Sequence, residues 1–183
     1  RGNFIWTMHN LWLHYRYSGD EKLLQETVQP MLARAVGYYL HLLKPGADGQ
    51  LHIPLSLSPE YPEKAPDTTY DHGLLRWGLT TLLALDAKAA TKDPRAAVWK
   101  ETLEKLAPYP VDEKTGYMIG AGVPLALSHR HFSHLMQIYP LHQVDPDSAS
   151  DRPLIEKSLN HWISFEGALQ GYSFTGASAM SSW

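Results

Sequence analysis

The chain has 183 residues, 44% of them hydrophobic and 11% aromatic, with 16 Lys and Arg against 19 Asp and Glu and no cysteine. The apolar content excludes a disordered chain, and the net charge of −3 excludes a nucleic-acid binder that neutralises many phosphates. No apolar run approaches the roughly 20 residues of a membrane span, and the lack of Cys excludes disulfides and thiolate zinc sites.

Helical periodicity dominates. Ile5, Met8, Leu11, Trp12 and Tyr15 fall at i, i+3 and i+4 steps, which predicts a helix over 4–17 ended by Ser18-Gly19. Asp20 is the expected N-cap of the next helix. There Leu23, Leu24, Val28, Met31, Leu32, Ala35, Val36, Tyr39, Leu40 and Leu43 form a stripe. Pro30 interrupts it, and because a Pro is tolerated only in a first helical turn, a break near Gln29 and a fresh helix from Pro30 are expected. Lys44-Pro45-Gly46 is the stop.

A second pair follows. Leu74, Leu75, Trp77, Gly78, Leu82, Leu83 and Leu85 give an apolar helix ending before Thr91, and Asp93-Pro94 opens another with Ala97, Val98, Leu103 and Leu106 on its inner face. A third pair is expected over 131–142 and 151–165, and a last helix from Ser173. Short ribbons are expected at 50–53 and 116–119. The fold class is therefore all-α, built from helix hairpins. No fixed repeat of the kind a solenoid requires is present. Two irregular segments, 44–70 (Pro at 45, 54, 59, 62 and 66) and 108–128, are too apolar to be disordered, and could meet to build a site. Because the chain opens on Arg1 and stops at Trp183 inside an aromatic, small-residue stretch, residues 1–183 are expected to be part of a larger domain, cut at both ends.

Four clusters could carry chemistry. In Ser56-Leu57-Ser58-Pro59-Glu60-Tyr61-Pro62, a carboxylate sits beside rigid prolines on a loop lined with Leu and Tyr. That setting suits a general acid of raised pKa, and the alternative is a solvated Glu on a proline-rich loop. His129-Arg130-His131-Phe132-Ser133-His134-Leu135 packs three His and one Arg together. It reads as a sugar- or carboxylate-binding cluster, as structural histidines, or as a metal site; the run lacks a matching carboxylate or Cys spacing elsewhere, so no metal is expected. In Asp67-Thr68-Thr69-Tyr70-Asp71-His72, Asp67 or Thr68 could cap a helix whose first turn holds Asp71, or Asp71 could face a cleft. Trp6, His9 and Asn10 share one face of the first helix, mixing an aromatic platform with polar tips; they line either a cleft or the core.

Taken in order, these elements resemble glycoside hydrolase family 95, the α-L-fucosidase and α-L-galactosidase family, and its six-hairpin relatives. The matching pieces start with Leu11-Trp12-Leu13-His14-Tyr15-Arg16-Tyr17-Ser18-Gly19-Asp20, Pro30-Met31-Leu32, Asp48-Gly49, Ser58-Pro59-Glu60 and Asp71. They continue with the His129–Leu135 run, Tyr139-Pro140 and Tyr172-Ser173-Phe174-Thr175-Gly176-Ala177-Ser178. The resemblance implies part of an (α/α)6 toroid and an inverting exo-glycosidase that removes an α-linked terminal sugar, fucose- or galactose-like, without cofactor or metal. Glu60 matches the family's general acid. On the leading reading, Trp6, His9, Asn10, Asp71, His129, Arg130, His131 and His134 are the expected substrate-binding set.

The family's Asn pair and its water-activating Asp, which lies in a Gln-Ile-Asp-Gly-Asn-like stretch, have no counterpart in these 183 residues, so the piece alone is expected to be inactive. The family's Glu-Trp pair before the His-Arg-His run is also absent, and a sister group with another sugar specificity fits as well. The expected partner is an oligosaccharide or polysaccharide, with no nucleic acid and no membrane. Such substrates imply an extracellular or periplasmic location. Two other readings remain: a toroid polysaccharide lyase using His131 or Tyr139 as base, and a non-catalytic helical scaffold.

Overall fold

A computed structural model describes residues 2–90 and 92–182. The described residues are mostly helical, with three antiparallel ribbons of two strands each. The order is α1 (Asn3–Ser18), α2 (Glu21–Leu23), α3 (Gln29–Leu42), β1 (Lys44–Pro45), β2 (Leu51–His52), β3 (Ser56–Leu57), β4 (Lys64–Ala65), α4 (Thr69–Lys88) and α5 (Ala96–Lys105). Then come β5 (Val111–Asp112), β6 (Gly116–Tyr117), α6 (Asp151–Ile163) and α7 (Gly171–Ser181). None of the described helices is long and apolar enough to cross a membrane.

The chain divides into two compact units, Arg1–His52 with Leu74–Ala107, and Ile53–Gly73 with Pro108–Trp183. In the first, α1 ends as expected at Gly19, whose φ of 70° supplies the left-handed C-cap, and the Asp20 side chain accepts from the Leu23 N–H to start α2. The break expected near Gln29 takes the form of a π-helical turn, Leu24–Val28. Here the Gln29 N–H reaches back five residues to the Leu24 carbonyl, and Pro30 enters the first turn of α3, where its missing N–H costs nothing. The Gly2 N–H at the head of α1 donates to Tyr39 Oη near the end of α3 at 2.7 Å, so the two helices run antiparallel. Ile5, Met8, Val28, Leu32, Val36 and Tyr39 form their buried seam. Gly78 lets α4 approach it closely, because a Cβ there would stand 2.9 Å from Val36 Cγ2. The Arg76 guanidinium donates to the carbonyls of Leu106 and Ala107 just past the end of α5.

The inner face of α5 differs from expectation. Trp99, Thr102 and Leu106 are buried, while Ala97 and Val98 face solvent. The Trp99 ring offers the most apolar area, and Thr102 and Leu106 follow it at i+3 and i+7.

The second unit is built around α6, whose Ile155, Leu159 and Trp162 pack with Tyr61, Ala65, Tyr117, Ile119, Leu125, Phe132, Leu135 and Ile138. The ribbon β5–β6 sits close on α6: the Tyr117 N–H donates to Ser158 Oγ at 2.8 Å. The two irregular segments are ordered and touch. The Ala121 N–H donates to the Pro66 carbonyl, and the Thr69 N–H to the Ile119 carbonyl.

The helix expected over 131–142 does not form. Ser133–Leu135 makes one 3-10 turn, followed by loosening hydrogen bonds from Leu141 N to Met136 O and from Gln143 N to Gln137 O. Pro140 has no N–H for the Met136 carbonyl, so the next residue serves it and the helical register is lost.

Candidate active site

Glu60 lies at the third position of a β-turn closed by the Tyr61 N–H donating to the Ser58 carbonyl at 3.1 Å. Pro59 occupies the second position with φ locked near −65°, and Glu60 has φ of +56°. This is a type II turn, whose third position normally takes Gly or Asn. A Glu there stores backbone strain, and strain of this kind collects at functional positions.

The carboxylate reaches two side-chain partners, a guanidinium and an imidazole. Arg130 Nη2 stands 2.7 Å from each oxygen, Arg130 Nε is 2.9 Å from Oε2, and His131 Nε2 is 2.9 Å from Oε2. Glu60 remains 53% exposed and Arg130 43%, so one side of the cluster is open to solvent. The raised pKa expected for Glu60 is overturned in this state. Hydrogen bonds from Arg130 and then His131 hold its carboxyl below the usual Glu range, outweighing the slight desolvation.

The other His residues of the run turn inward. His129 is 7% exposed and its Nε2 donates to the Pro59 carbonyl at 3.1 Å, with its ring edge-on to Tyr61. Burial, followed by the nearby His131, lowers its pKa. His134 is 1% exposed, and burial pushes its pKa down to about 3, so it is neutral at any ordinary pH. Behind the run, Trp162 Nε1 donates to the His129 carbonyl and Ser173 Oγ to the Arg130 carbonyl, each at 2.7 Å. The Tyr172 ring stacks on Phe132 and stands edge-on to His131.

Asp71 is buried in the first turn of α4, where it accepts from Ser56 Oγ at 2.8 Å and Thr68 Oγ1 at 2.9 Å. It thus pins β3 to the head of α4. Asp67, also with positive φ, accepts from the Ile53 N–H at 2.7 Å and pairs with His72.

Glu60, His129, Arg130 and His131 are therefore brought together, with His134 and Asp71 buried in the same unit. Trp6, His9 and Asn10 belong to the other unit. There His9 is buried against the rings of Trp12 and Trp77, Trp6 is half-buried and Asn10 is exposed. Among the described residues no group of three or more His, Cys, Asp or Glu is placed to hold a metal ion.

Sequence reasoning missed one pair, Ser58 and Ser133, whose buried hydroxyls meet at 2.7 Å. Both stand inside quoted motifs, one before Pro59-Glu60 and one between His131 and His134. Nothing in a single sequence links positions 75 apart.

A family model for the glycosyl hydrolase family 95 catalytic domain matches residues 2–164. The chain belongs to glycosyl hydrolase family 95. Among curated relatives it is similar to alpha-L-fucosidase 2 of Arabidopsis thaliana, 24% identical over 158 residues. That match covers 80% of this chain and 19% of the relative, so the chain spans about a fifth of the relative's length. The family match includes the Glu60 turn, the His129–Leu135 run and all of α6.

Proposed function

We propose that this chain contributes the proton-donating half of an inverting exo-glycosidase site within an (α/α)6 toroid. Glu60 is the general acid, and the substrate carries an α-linked terminal sugar of the fucose or galactose type. The observation that carries this reading is the Glu60 turn: a carboxylate on a strained backbone, open to solvent on one side and met on the other by Arg130 and His131. Membership of family 95 and the likeness to an alpha-L-fucosidase support it.

The chemistry follows from how the cluster responds to a sugar. Arg130 and His131 are donors, and sugar hydroxyls and ring oxygens are acceptors. A bound sugar that takes up those donors leaves Glu60 with fewer hydrogen bonds to its charged form and covers it from water. Both changes raise its pKa, and the protonated acid can then donate to the glycosidic oxygen. Water attacks from the opposite face, activated by a second carboxylate roughly 6.5–9.5 Å away, as inversion requires. We place that base and the Asn residues that hold it outside the 183 residues, so this stretch alone is catalytically silent. Asp71 is not assigned as the base: it is buried, and its Oδ2 accepts from both Ser56 and Thr68. We further propose, from a glycan substrate of this kind, a location outside the cell or in the periplasm.

The test is proton NMR of the sugar freshly released from an α-L-fucoside or α-L-galactoside by the full-length protein. The inverted anomer is expected first. A retained anomer would rule the inverting reading out.

A further inference from the structure

Four consecutive residues of the Glu60 turn are each tied to a different point of one segment, 124–133. Ser58 Oγ shares a hydrogen bond with Ser133 Oγ at 2.7 Å. The Pro59 carbonyl accepts from His129 Nε2 at 3.1 Å. Arg130 and His131 hold the Glu60 carboxylate. Tyr61 Oη donates to the Pro124 carbonyl at 3.3 Å and accepts from the Ala126 N–H at 3.0 Å.

These ties are not equivalent. Ser58, Ser133, His129 and Tyr61 are buried, whereas Glu60 is exposed. Water or a sugar can compete for the contacts of Glu60, whereas the Ser58–Ser133 bond is buried and the ties of Pro59 and Tyr61 are partly shielded. The positive φ of Glu60 persists only where its surroundings over-determine it. Once Arg130 and His131 turn to a sugar, the carboxylate no longer helps to hold the turn.

We propose that Ser58, Ser133 and His129 are positioning residues that keep the Glu60 turn in its left-handed form independently of the carboxylate. The acid thereby stays aimed at the glycosidic oxygen after Arg130 and His131 have let go. The inference rests on reading Glu60 as the acid. The holding segment is itself fixed: α6 grips the His129 carbonyl through Trp162 and α7 grips the Arg130 carbonyl through Ser173. His129 must carry its proton on Nε2 to donate to Pro59, and the neutral ring favoured by burial supplies one such tautomer.

A loosened turn misplaces the acid, and misplacement slows only the steps that need its proton. The experiment measures kcat/KM of the full-length protein on two substrates: a natural α-glycoside, whose leaving alcohol needs protonation, and an aryl glycoside of an acidic phenol, which does not. The ratio of the two constants within one sample does not depend on the fraction that is folded. Ser133→Ala and His129→Ala are expected to lower the natural-to-aryl ratio by about tenfold or more, in the same sense as Glu60→Gln. His129→Gln keeps a donor for the Pro59 carbonyl and is expected to recover most of the ratio. An unchanged ratio in Ser133→Ala and His129→Ala, beside a lowered one in Glu60→Gln, overturns the positioning role alone. An unchanged ratio in Glu60→Gln overturns the acid assignment and the positioning role with it.

Discussion

Arg130 grips both carboxylate oxygens of Glu60, with Nη2 2.7 Å from Oε1 and Nε 2.9 Å from Oε2. The two-pronged geometry is the strong form of an Arg–carboxylate contact, yet both side chains are about half exposed, so its weight lies in protonation more than in stability. The lowered Glu60 pKa means that any stability from this pair is present above the usual Glu pKa and fades as pH falls through the lowered one. Removing the guanidinium in Arg130→Ala is expected to raise the Glu60 titration midpoint toward its ordinary value. Carbon-13 NMR of the Glu60 carboxyl reads this directly, and a midpoint that does not move would mean Arg130 is not the main cause.

Glu60 holds a backbone conformation that glycine adopts freely. Glu60→Gly is therefore expected to abolish glycoside hydrolysis while raising the melting temperature by about 2–4 °C, the shift that relief of modest strain produces in a domain of this size. The exposed ion pair that is lost contributes little against this. A clear fall in melting temperature on thermal denaturation would argue that the turn is not strained.

Gly120 marks where the second irregular segment lies against the first. A Cβ there would stand 2.5 Å from the Ala65 Cβ and 2.9 Å from the Pro66 carbonyl oxygen, and backbone cannot swing aside as a flexible side chain can. Gly120→Ala should cost about 1–3 kcal/mol, the range for overpacking a tight contact, measured by denaturant unfolding. A neutral outcome would mean the segments slide apart easily.

His134 gives the fold an acid sensitivity. Its pKa is about 3 in the folded chain against 6.5 when free, so between those values the unfolded chain binds a proton that the buried ring refuses. Stability must fall as pH drops through that window, by up to about 1.4 kcal/mol per pH unit from this one group. His134→Gln removes the titration. Its stability deficit at pH 7 is expected to shrink in melts at pH 5 and pH 4, and a deficit constant with pH would contradict the buried, neutral ring.

Much of the helical plan was legible because local chemistry decides it. Gly19, Asp20 and Pro30 each act within a few residues, and each does what its type dictates. The failure over 131–142 has a local cause that periodicity overlooks: the apolar spacing was helical, but Pro140 withholds one donor. On α5 the spacing rule named Val98 where the larger Trp99 took the inner face. At the site, the prolines marked Glu60 as standing on a rigid loop, but the turn itself and the positive φ of Glu60 were not legible. Its electrostatics could not be read, because Arg130 and His131 stand 70 and 71 residues away and reverse the pKa shift that the apolar loop suggested. The run of three His looked uniform in sequence. Folding separates it into one ring on the Glu60 carboxylate, one on the Pro59 carbonyl and one sealed inside.

The most direct test of Glu60 as the proton donor is the dependence of kcat/KM on leaving-group pKa, for full-length protein with Glu60 and with Glu60→Gln. Across a series of aryl glycosides, the expected result is a shallow slope with Glu60, since the acid protonates poor leaving groups, and a steep slope with Gln. On natural glycosides the Gln variant should lose several orders of magnitude. Equal slopes, or full activity of Glu60→Gln on the natural substrate, would contradict the assignment.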